Sequence, residues 1–203
     1  MIKRKNSEPK EILVAVAKGR ILKEAFQLLQ GIGIKISDKE LSSRKLKLKT
    51  NFAHINILVI RASDVPTYVD YGAADMGITG KDILLENDTE GYYEPLDLKI
   101  SKCKLCAAGP NSARPDLPVL RVATKYPRIA QAYYQKIGIQ AEIITLYGSM
   151  ELAPIVGLAD EIVDLVDTGK TLLANNLSII EDVREISSRL IVNKASFKVK
   201  PFE

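Results

Sequence analysis

The sequence VDLVDTGKTL, residues 163–172, joins an apolar run to a polar turn and then to an apolar helical pattern. The run EIVDLV predicts a buried strand, and KTLLANN after the turn predicts a helix. Gly169 permits a tight turn between them, because glycine has no Cβ that would clash there. The stretch therefore predicts a strand–turn–helix unit, which is the building block of an α/β sheet.

Alternating strand and helix patterns continue through most of the chain. Strands are predicted at EILVAV, INILVI, ADMGITG, CKLCAAG, LRVAT and AEIITL, and helices follow several of them. After RASDVP we expect a helix capped by Ser63 or Asp64, with Pro66 in its first turn. SIIEDVREISSRLIVN predicts one or two closing strands. The alternation predicts an α/β fold with mainly parallel sheets.

The polar, turn-rich segment NDTEGYYEPLD, residues 87–97, interrupts this alternation. Clusters of Asn, Asp, Gly and Pro mark turns and linkers, so we expect a boundary here. The boundary divides the chain into two lobes of about 90 residues each.

Composition and the first residues indicate where in the cell the protein is expected to work. The 203 residues are 46% hydrophobic and 27% charged, which is ordinary for a globular protein. No apolar run is long enough to span a membrane, and the basic start MIKRKNSEPKE does not resemble a secretory signal. We therefore expect a cytoplasmic protein without a membrane partner, with residues 1–10 as a leader.

Cys103 and Cys106 form a CxxC motif, which is a pattern of redox and zinc sites. The run that contains them predicts a strand, and positions three apart on a strand face opposite sides. Zinc would also need more ligands, and His54 is the only histidine. We therefore expect two reduced, semi-buried thiols.

Basic residues cluster between positions 35 and 49. Six of them stand against Asp38 and Glu40: Lys35, Lys39, Arg44, Lys45, Lys47 and Lys49. Such a cluster suits a polyanionic small molecule or nucleic acid, or it is a solvated face. Phe52 is the only aromatic ring nearby, so the base-stacking pattern of a nucleic-acid-binding module is missing.

Two phosphate-binding motifs can be excluded. Asp164 stands five residues before Gly169, where a P-loop NTPase requires glycine. Gly31 and Gly33 are not followed by a third glycine at Ile36, so QGIGIK is not a dinucleotide-binding fingerprint.

The stretch 163–172 combines anion donors with acids. Backbone amides at the start of the helix and two hydroxyls can converge on one anion; they belong to Lys170, Thr171, Leu172 and Thr168. Asp164 and Asp167 cannot face that anion favourably, but they can accept hydrogen bonds from sugar hydroxyls. The combination predicts a ribose 5-phosphate site. A capped turn without a ligand stays open as the alternative.

Segments along nearly the whole chain resemble the ATP phosphoribosyltransferase family in the same order. IVDLVDTGKTLLANNL resembles the loop of that family that binds phosphoribosyl diphosphate (PRPP). The others are VAKGRILKEAFQLLQGIGI, SSRKL, VIRASDVPTYVDYGAADMGITGKDILLE, LRVATKYPRIAQAYY, GSMELAPIVGLAD and SRLIVNKASFK. Ala17 departs from the pattern, because a proline or serine is expected before Lys-Gly-Arg. The chain looks like the short form, which lacks a C-terminal regulatory domain.

The resemblance implies a fold and a domain arrangement. We expect two lobes similar to those of type II periplasmic binding proteins, with the active site in the cleft. Residues 1–92 plus 180–203 would form the first lobe. Residues 93–179 would form the second lobe, which carries the PRPP loop.

The resemblance also implies the reaction, in which N1 of ATP attacks C1 of PRPP and pyrophosphate leaves. Asp164, Asp167 and Arg44 would be the catalytic residues. PRPP would bind to Asp164, Asp167, Thr168, Gly169, Lys170, Thr171, Glu151 and Gly80. ATP would bind to Lys18, Gly19, Arg20, Arg44 and Arg61. Mg²⁺ would bridge substrate phosphates without a dedicated protein site.

Partners follow from the same resemblance. We expect a homodimer that assembles with a regulatory subunit resembling histidyl-tRNA synthetase, and no nucleic-acid partner. Three other functions stay open: a phosphoribosyltransferase for another base, a non-catalytic two-lobed solute-binding protein, and a nucleic-acid-binding module. The basic residues near Lys18 and Arg44 favour a triphosphate acceptor, and the missing signal peptide disfavours solute binding.

Overall fold

The computed structural model describes residues 10–110 and 113–200. The chain forms two compact units, one made of the residues up to Ser101 and from Ser187 onward, the other of Lys102–Ile186. We call them unit 1 and unit 2. Within the described ranges, every helix is too short or too polar to cross a lipid bilayer.

Unit 1 is built on a six-stranded sheet. Numbered along the chain, its strands are β1 (Ile12–Ala17), β2 (Lys47–Lys49), β3 (Ile55–Ile60), β4 (Met76–Gly80), β5 (Tyr92–Asp97) and β11 (Ser188–Asn193). The order across the sheet is β2-β3-β1-β4-β11-β5. Its helices are α1 (Arg20–Gly31), α2 (Asp38–Leu41), α3 (Val65–Asp70), α4 (Lys81–Glu86) and α8 (Lys194–Val199).

Unit 2 is built on a five-stranded sheet. Its strands are β6 (Cys103–Gly109), β7 (Leu120–Thr124), β8 (Ala141–Thr145), β9 (Glu161–Val166) and β10 (Ser178–Ile186). The order across the sheet is β10-β6-β9-β7-β8. Its helices are α5 (Pro127–Lys136), α6 (Leu152–Ile155) and α7 (Lys170–Ala174).

The α/β class is confirmed, but the expectation of mainly parallel sheets is wrong. Only β3, β1 and β4 in unit 1, and β8, β7 and β9 in unit 2, run parallel to one another. The remaining neighbours pair antiparallel. Parallel pairing needs a long crossover connection, and in both units helices lie in the connections between the parallel strands. Each sheet is therefore mixed.

The unit boundaries differ from the expected 1–92 plus 180–203 and 93–179. Strand β5 pairs with β11 and so belongs to unit 1, although its sequence reads as a polar linker. Strand β10 pairs with β6 along its length and so belongs to unit 2 as far as Ile186. Both differences arise because the division into units depends on which strands pair, and the partner of a strand cannot be read from its own sequence. The expected active site in a cleft stays a prediction.

Strand β1 is the centre of the unit 1 core because both of its faces are covered. Val14 and Val16 pack in a cluster with Ala25 of α1, whereas Ala15 and Ala17 pack with Val65 of α3. Alternate residues of a strand face opposite sides, so a continuous apolar run is what a strand buried on both faces requires.

The helix after RASDVP begins with a 3-10 turn at Ala62–Asp64 and continues as α3, with Pro66 in its first turn as expected. The expected side-chain cap is wrong. Asp64 stands at the cap position without bonding the helix amides, and its Oδ1 instead accepts a hydrogen bond of 2.9 Å from the Ser63 hydroxyl.

The CxxC motif lies on β6, as the sequence predicted. Cys103 is partly exposed and Cys106 is buried, and neither cysteine forms a disulfide. Burial raises the pKa of Cys106 to about 12, and the carboxylate of Asp182, 3.4 Å from Sγ, adds to the shift. The Cys106 thiol therefore keeps its proton at neutral pH and is a poor metal ligand or nucleophile.

Asp75 joins three parts of unit 1 although it is buried, with 3% of its surface exposed. Its carboxylate accepts hydrogen bonds from the Leu13 amide at 2.9 Å, the Ser196 hydroxyl at 2.6 Å and the Lys200 ammonium at 2.7 Å. These contacts fix α8 and the residue after it against the start of the central strand β1.

We expect Asp75→Ala to lower the free energy of unfolding by about 3 kcal/mol, because it leaves the polar groups that bond to Asp75, one of them charged, without their acceptor. Urea denaturation measures the change. Asp38→Ala, at an exposed position of α2, is the matched control. A loss of under about 1 kcal/mol for Asp75→Ala would contradict this role.

Candidate active site

The parallel strands of unit 2 create an open edge at their carboxyl ends. Strand β7 lies between β8 and β9, so the connections that leave β7 and β9 go to different parts of the unit. In open α/β sheets the space at such a point is where ligands bind. The stretch 163–172 leaves β9 at this edge.

A cavity of about 180 Å³ lies at this edge. Its lining includes the residues of unit 2 that the sequence assigned to PRPP: Glu151, Asp164, Asp167, Thr168, Gly169, Lys170 and Thr171. The structure therefore brings these residues together. Gly80 belongs to unit 1 and is not among the residues that line this cavity.

The turn into α7 depends on the backbone of Gly169. Its φ of 71° and ψ of 1° are left-handed, a conformation that residues with a Cβ rarely adopt. Leu173 donates the first hydrogen bond of the helix, 3.1 Å to the Gly169 carbonyl. The amides of Lys170, Thr171 and Leu172 come before this bond, where a helix leaves donors for another acceptor.

The acids of the cavity differ in their environment. Asp164 is half-buried, and its Oδ1 accepts a hydrogen bond of 2.8 Å from the Leu165 amide. Asp167 is exposed at the start of the turn. Glu151 is half-buried and stands at the cap position of α6. Acids thus approach the cavity from two separate segments of unit 2.

Sequence reasoning did not find the apolar wall of this cavity. Cys106, Ala108, Ile162 and Leu172 line it, and the last three belong to a core cluster with Met150 and Ala153. Cys106 lies there because its register partner across β6 and β9 is Asp164. The two-residue spacing of Ile162 and Asp164 was a usable signal, since it puts both on one face of β9.

Three of the residues assigned to ATP form the turn after β1. Gly19 has φ of 90° and ψ of −136° and stands at the cap position of the 12-residue helix α1. The Lys18 amide donates to the Ile60 carbonyl at 2.9 Å, which joins this turn to the end of β3. Arg20 donates to the Ser101 carbonyl at 3.0 Å and lies 3.8 Å from Glu24.

Arg44 and Arg61 are exposed and approach the same edge of the unit 1 sheet. Arg61 directly follows β3, and Arg44 precedes β2, which pairs antiparallel with β3. The Val59 amide donates to the Leu46 carbonyl at 2.8 Å, so the approach to β2 lies beside the end of β3. The structure thus places Lys18, Arg20, Arg44 and Arg61 near the carboxyl ends of the parallel strands of unit 1.

Gly80 ends β4 at this edge, close to the side chain of Asp82. A Cβ at this position would lie 2.1 Å from Oδ1 of Asp82, so a larger residue would require that carboxylate to move.

The basic cluster between residues 35 and 49 is partly neutralised within unit 1. Glu40 pairs with Lys45 at 3.3 Å and accepts from the Lys49 amide at 3.1 Å. The Lys49 amide and then Lys45 lower the pKa of the Glu40 carboxyl. Lys47 pairs with Glu11 at 2.6 Å. These internal pairs weaken the case for a nucleic-acid-binding face.

Comparisons with known proteins agree with this geometry. The family model described as HisG, ATP phosphoribosyltransferase, matches residues 61–203. An ATP phosphoribosyltransferase of Marinobacter nauticus is 55% identical over 189 residues, which cover 93% of this chain and 88% of the relative. One from Methylococcus capsulatus is 56% identical over 193 residues, covering 93% and 89%.

Solved structures support both the family and the fold. The ATP phosphoribosyl transferase (HisG:HisZ) complex from Thermotoga maritima matches with a TM-score of 0.77 and 34% identity, over 93% of this chain and 90% of that one. A probable amino-acid ABC transporter extracellular-binding protein of Bacillus subtilis matches with a TM-score of 0.59 at 12% identity, over 95% and 88%. The second match concerns the fold alone and confirms the resemblance to periplasmic binding proteins. The chain therefore belongs to the ATP phosphoribosyltransferase family, whose reaction is the first step of histidine biosynthesis.

Proposed function

We propose that this chain transfers the phosphoribosyl group of PRPP to N1 of ATP, giving N1-(5-phosphoribosyl)-ATP and pyrophosphate. The proposal rests on one observation. A single cavity of about 180 Å³ collects the donors of the 168–171 turn and the carboxylates of Asp164 and Asp167. Donors alone would suit any anion, and carboxylates alone would suit any polyol. Together they suit a sugar phosphate.

The 5-phosphate would lie over the start of α7. Amides there point outward along the helix axis, and the left-handed Gly169 lets the chain wrap closely around an anion. The hydroxyls of Thr168 and Thr171 and the ammonium of Lys170 come from the same turn. These groups bind and orient one end of the substrate.

The ribose would lie against the acids. Carboxylate oxygens accept hydrogen bonds from the 2- and 3-hydroxyls, which fixes the ring relative to the attacking nitrogen. Displacement at the anomeric carbon develops positive charge on the ring, as in glycoside hydrolysis. Asp164 and Asp167 stabilise that charge electrostatically, and Glu151 supplies a further contact to the sugar.

ATP and the departing pyrophosphate would bind at the cationic edge of unit 1. Arg44 and Arg61 offer planar guanidinium groups, which bind two phosphate oxygens at once. The turn of Lys18, Gly19 and Arg20 adds two cations and the start of α1. Gly80 would approach pyrophosphate with its backbone.

Mg²⁺ would enter with the substrates and supply charge neutralisation on their phosphates. Among residues 10–110 and 113–200, no set of three or more His, Cys, Asp and Glu side chains could hold a metal ion. Mg²⁺ would therefore take its ligands from the substrate phosphates and from water rather than from a dedicated set of side chains.

We further propose that the chain is the short form and works in the cytoplasm as a homodimer within a larger assembly. The chain covers 88% of the Marinobacter nauticus relative and 90% of the Thermotoga maritima chain, so these relatives have similar lengths. The latter structure is a HisG:HisZ complex. The partner that we propose for this chain is a regulatory subunit resembling histidyl-tRNA synthetase.

The function is tested by incubating the purified chain with ATP, PRPP and Mg²⁺, with and without a candidate regulatory subunit. We expect a product with the absorbance and the mass of N1-(5-phosphoribosyl)-ATP, and the release of one pyrophosphate for each molecule of product. Free purines and orotate in place of ATP should give no product. Transfer to one of those bases, or binding of PRPP without pyrophosphate release, would contradict the proposal.

Asp167→Asn should lower kcat at least tenfold and leave the KM for ATP within about twofold, because the charge is needed in the transition state rather than for ATP binding. Steady-state kinetics with each substrate varied in turn separates the two effects. Asp116→Asn, at an exposed position of the same unit, is the control. A kcat within about twofold of wild type for Asp167→Asn would remove Asp167 from the reacting centre.

Arg44→Ala and Arg61→Ala should each raise the KM for ATP or PRPP about tenfold, because each removes a charge-assisted bond to phosphate. The control is Arg184→Ala, another exposed arginine, on β10. Wild-type kinetics in both variants would remove Arg44 and Arg61 from the substrate site.

A further inference from the structure

Thr124 is the last residue of β7 and stands where both neighbouring strands separate from it. Its register partners are Thr145 at the end of β8 and Val163 in β9. The side chain is fully buried, with 0% of the residue exposed. A polar side chain in such a place needs hydrogen-bond partners.

The Thr124 hydroxyl has two partners. It donates to the Val163 carbonyl at 2.6 Å and accepts from the Tyr126 amide at 2.9 Å. The hydroxyl thus joins the end of β7 to a buried carbonyl of β9, and its own donor and acceptor are both satisfied.

The bonded carbonyl is one residue from a predicted catalytic acid. Val163 directly precedes Asp164, which leads to the turn at 167–171. The other strand is fixed at the same point, because the Thr124 carbonyl accepts from the Leu146 amide at 2.9 Å. Leu146 begins the connection to Glu151 and packs against the core cluster that includes Leu172 of the cavity wall.

We propose that Thr124 is a positioning residue for the phosphoribosyl site. Its hydroxyl holds β9 against β7 at the last residue before Asp164 and so sets the place of the acids relative to the anion-binding turn. The inference rests on the proposed function, because it assumes that PRPP occupies this cavity. Thr124 itself does not line the cavity, so its effect passes through Asp164 and the turn.

Three variants test this inference in the full chain. Thr124→Val keeps the shape but removes both hydrogen bonds, whereas Thr124→Ser keeps the hydroxyl. Tyr134→Phe is the matched control, because it removes a buried hydrogen bond of 2.6 Å to Glu161, at the opposite end of β9. Thermal unfolding is measured beside the KM for each substrate.

We expect Thr124→Val to raise the KM for PRPP about tenfold, with the KM for ATP within about twofold. Thr124→Ser should stay within about twofold of wild type for both substrates. Tyr134→Phe should lower the unfolding temperature without changing the KM for PRPP. If Thr124→Val does not fold, Thr124→Cys, with its weak donor, should show the same PRPP-specific increase.

Three results would overturn the inference: an unchanged KM for PRPP in the folded Thr124→Val or Thr124→Cys protein, an equal loss in Thr124→Ser, or an equal loss in Tyr134→Phe. Failure of the proposed function is distinguishable, since the wild-type chain would then form no phosphoribosyl-ATP. An active wild-type chain with an insensitive Thr124 would reject only the positioning role.

Discussion

Parallel pairing between β7 and β9 is the constraint on which the candidate site depends. Parallel strands leave their sheet at a common edge, and their connections must then separate. The pairing ends at Thr124 and Val163, immediately before Asp164. The space that opens beyond this point holds the left-handed turn at Gly169 and the start of α7. The chemistry of the turn is local, but its position next to the acids is a property of the sheet.

The local parts of this arrangement could be predicted from the sequence, because they depend on neighbouring residues. The strand, the glycine turn and the helix of 161–174 follow from apolar spacing and from the backbone freedom of Gly169. The resemblance of this stretch to a known substrate loop also predicted the ligand and assigned Glu151 to its site. The structure shows that Glu151, although distant from this stretch in sequence, lines the same cavity.

The features that could not be predicted from the sequence depend on which strands pair and in what register. Most residues of strand β5 are exposed and the strand pairs on one side only, so its sequence resembles a linker. The role of Cys106 in the cavity wall follows from its pairing with Asp164 across two strands that are far apart in the chain. Neither feature has a local pattern, because hydrogen bonds between strands are made by backbone groups that every residue carries.

The two units share one arrangement of parallel strands but differ in the charge at their carboxyl edges. In each, the first strand of the parallel set lies between the second and the third: β3-β1-β4 in unit 1 and β8-β7-β9 in unit 2. Unit 1 presents Lys18, Arg20 and Arg61 at this edge, whereas unit 2 presents the carboxylates of Asp164 and Asp167 beside the turn of residues 168–171. One backbone plan therefore supports two kinds of polar surface, and side chains decide the specificity.

The position of β11 in the sheet of unit 1 also determines which of the two sheets can be completed first during synthesis of the chain. Unit 2 is a continuous segment, Lys102–Ile186, and all strands of its sheet are available once that segment has emerged. Strand β11, residues 188–193, inserts between β4 and β5, which are made about a hundred residues earlier. The sheet of unit 1 cannot be completed until β11 has been synthesised. Until then, the edge of β4 lacks its partner β11, whereas all strands of the unit 2 sheet have already been synthesised.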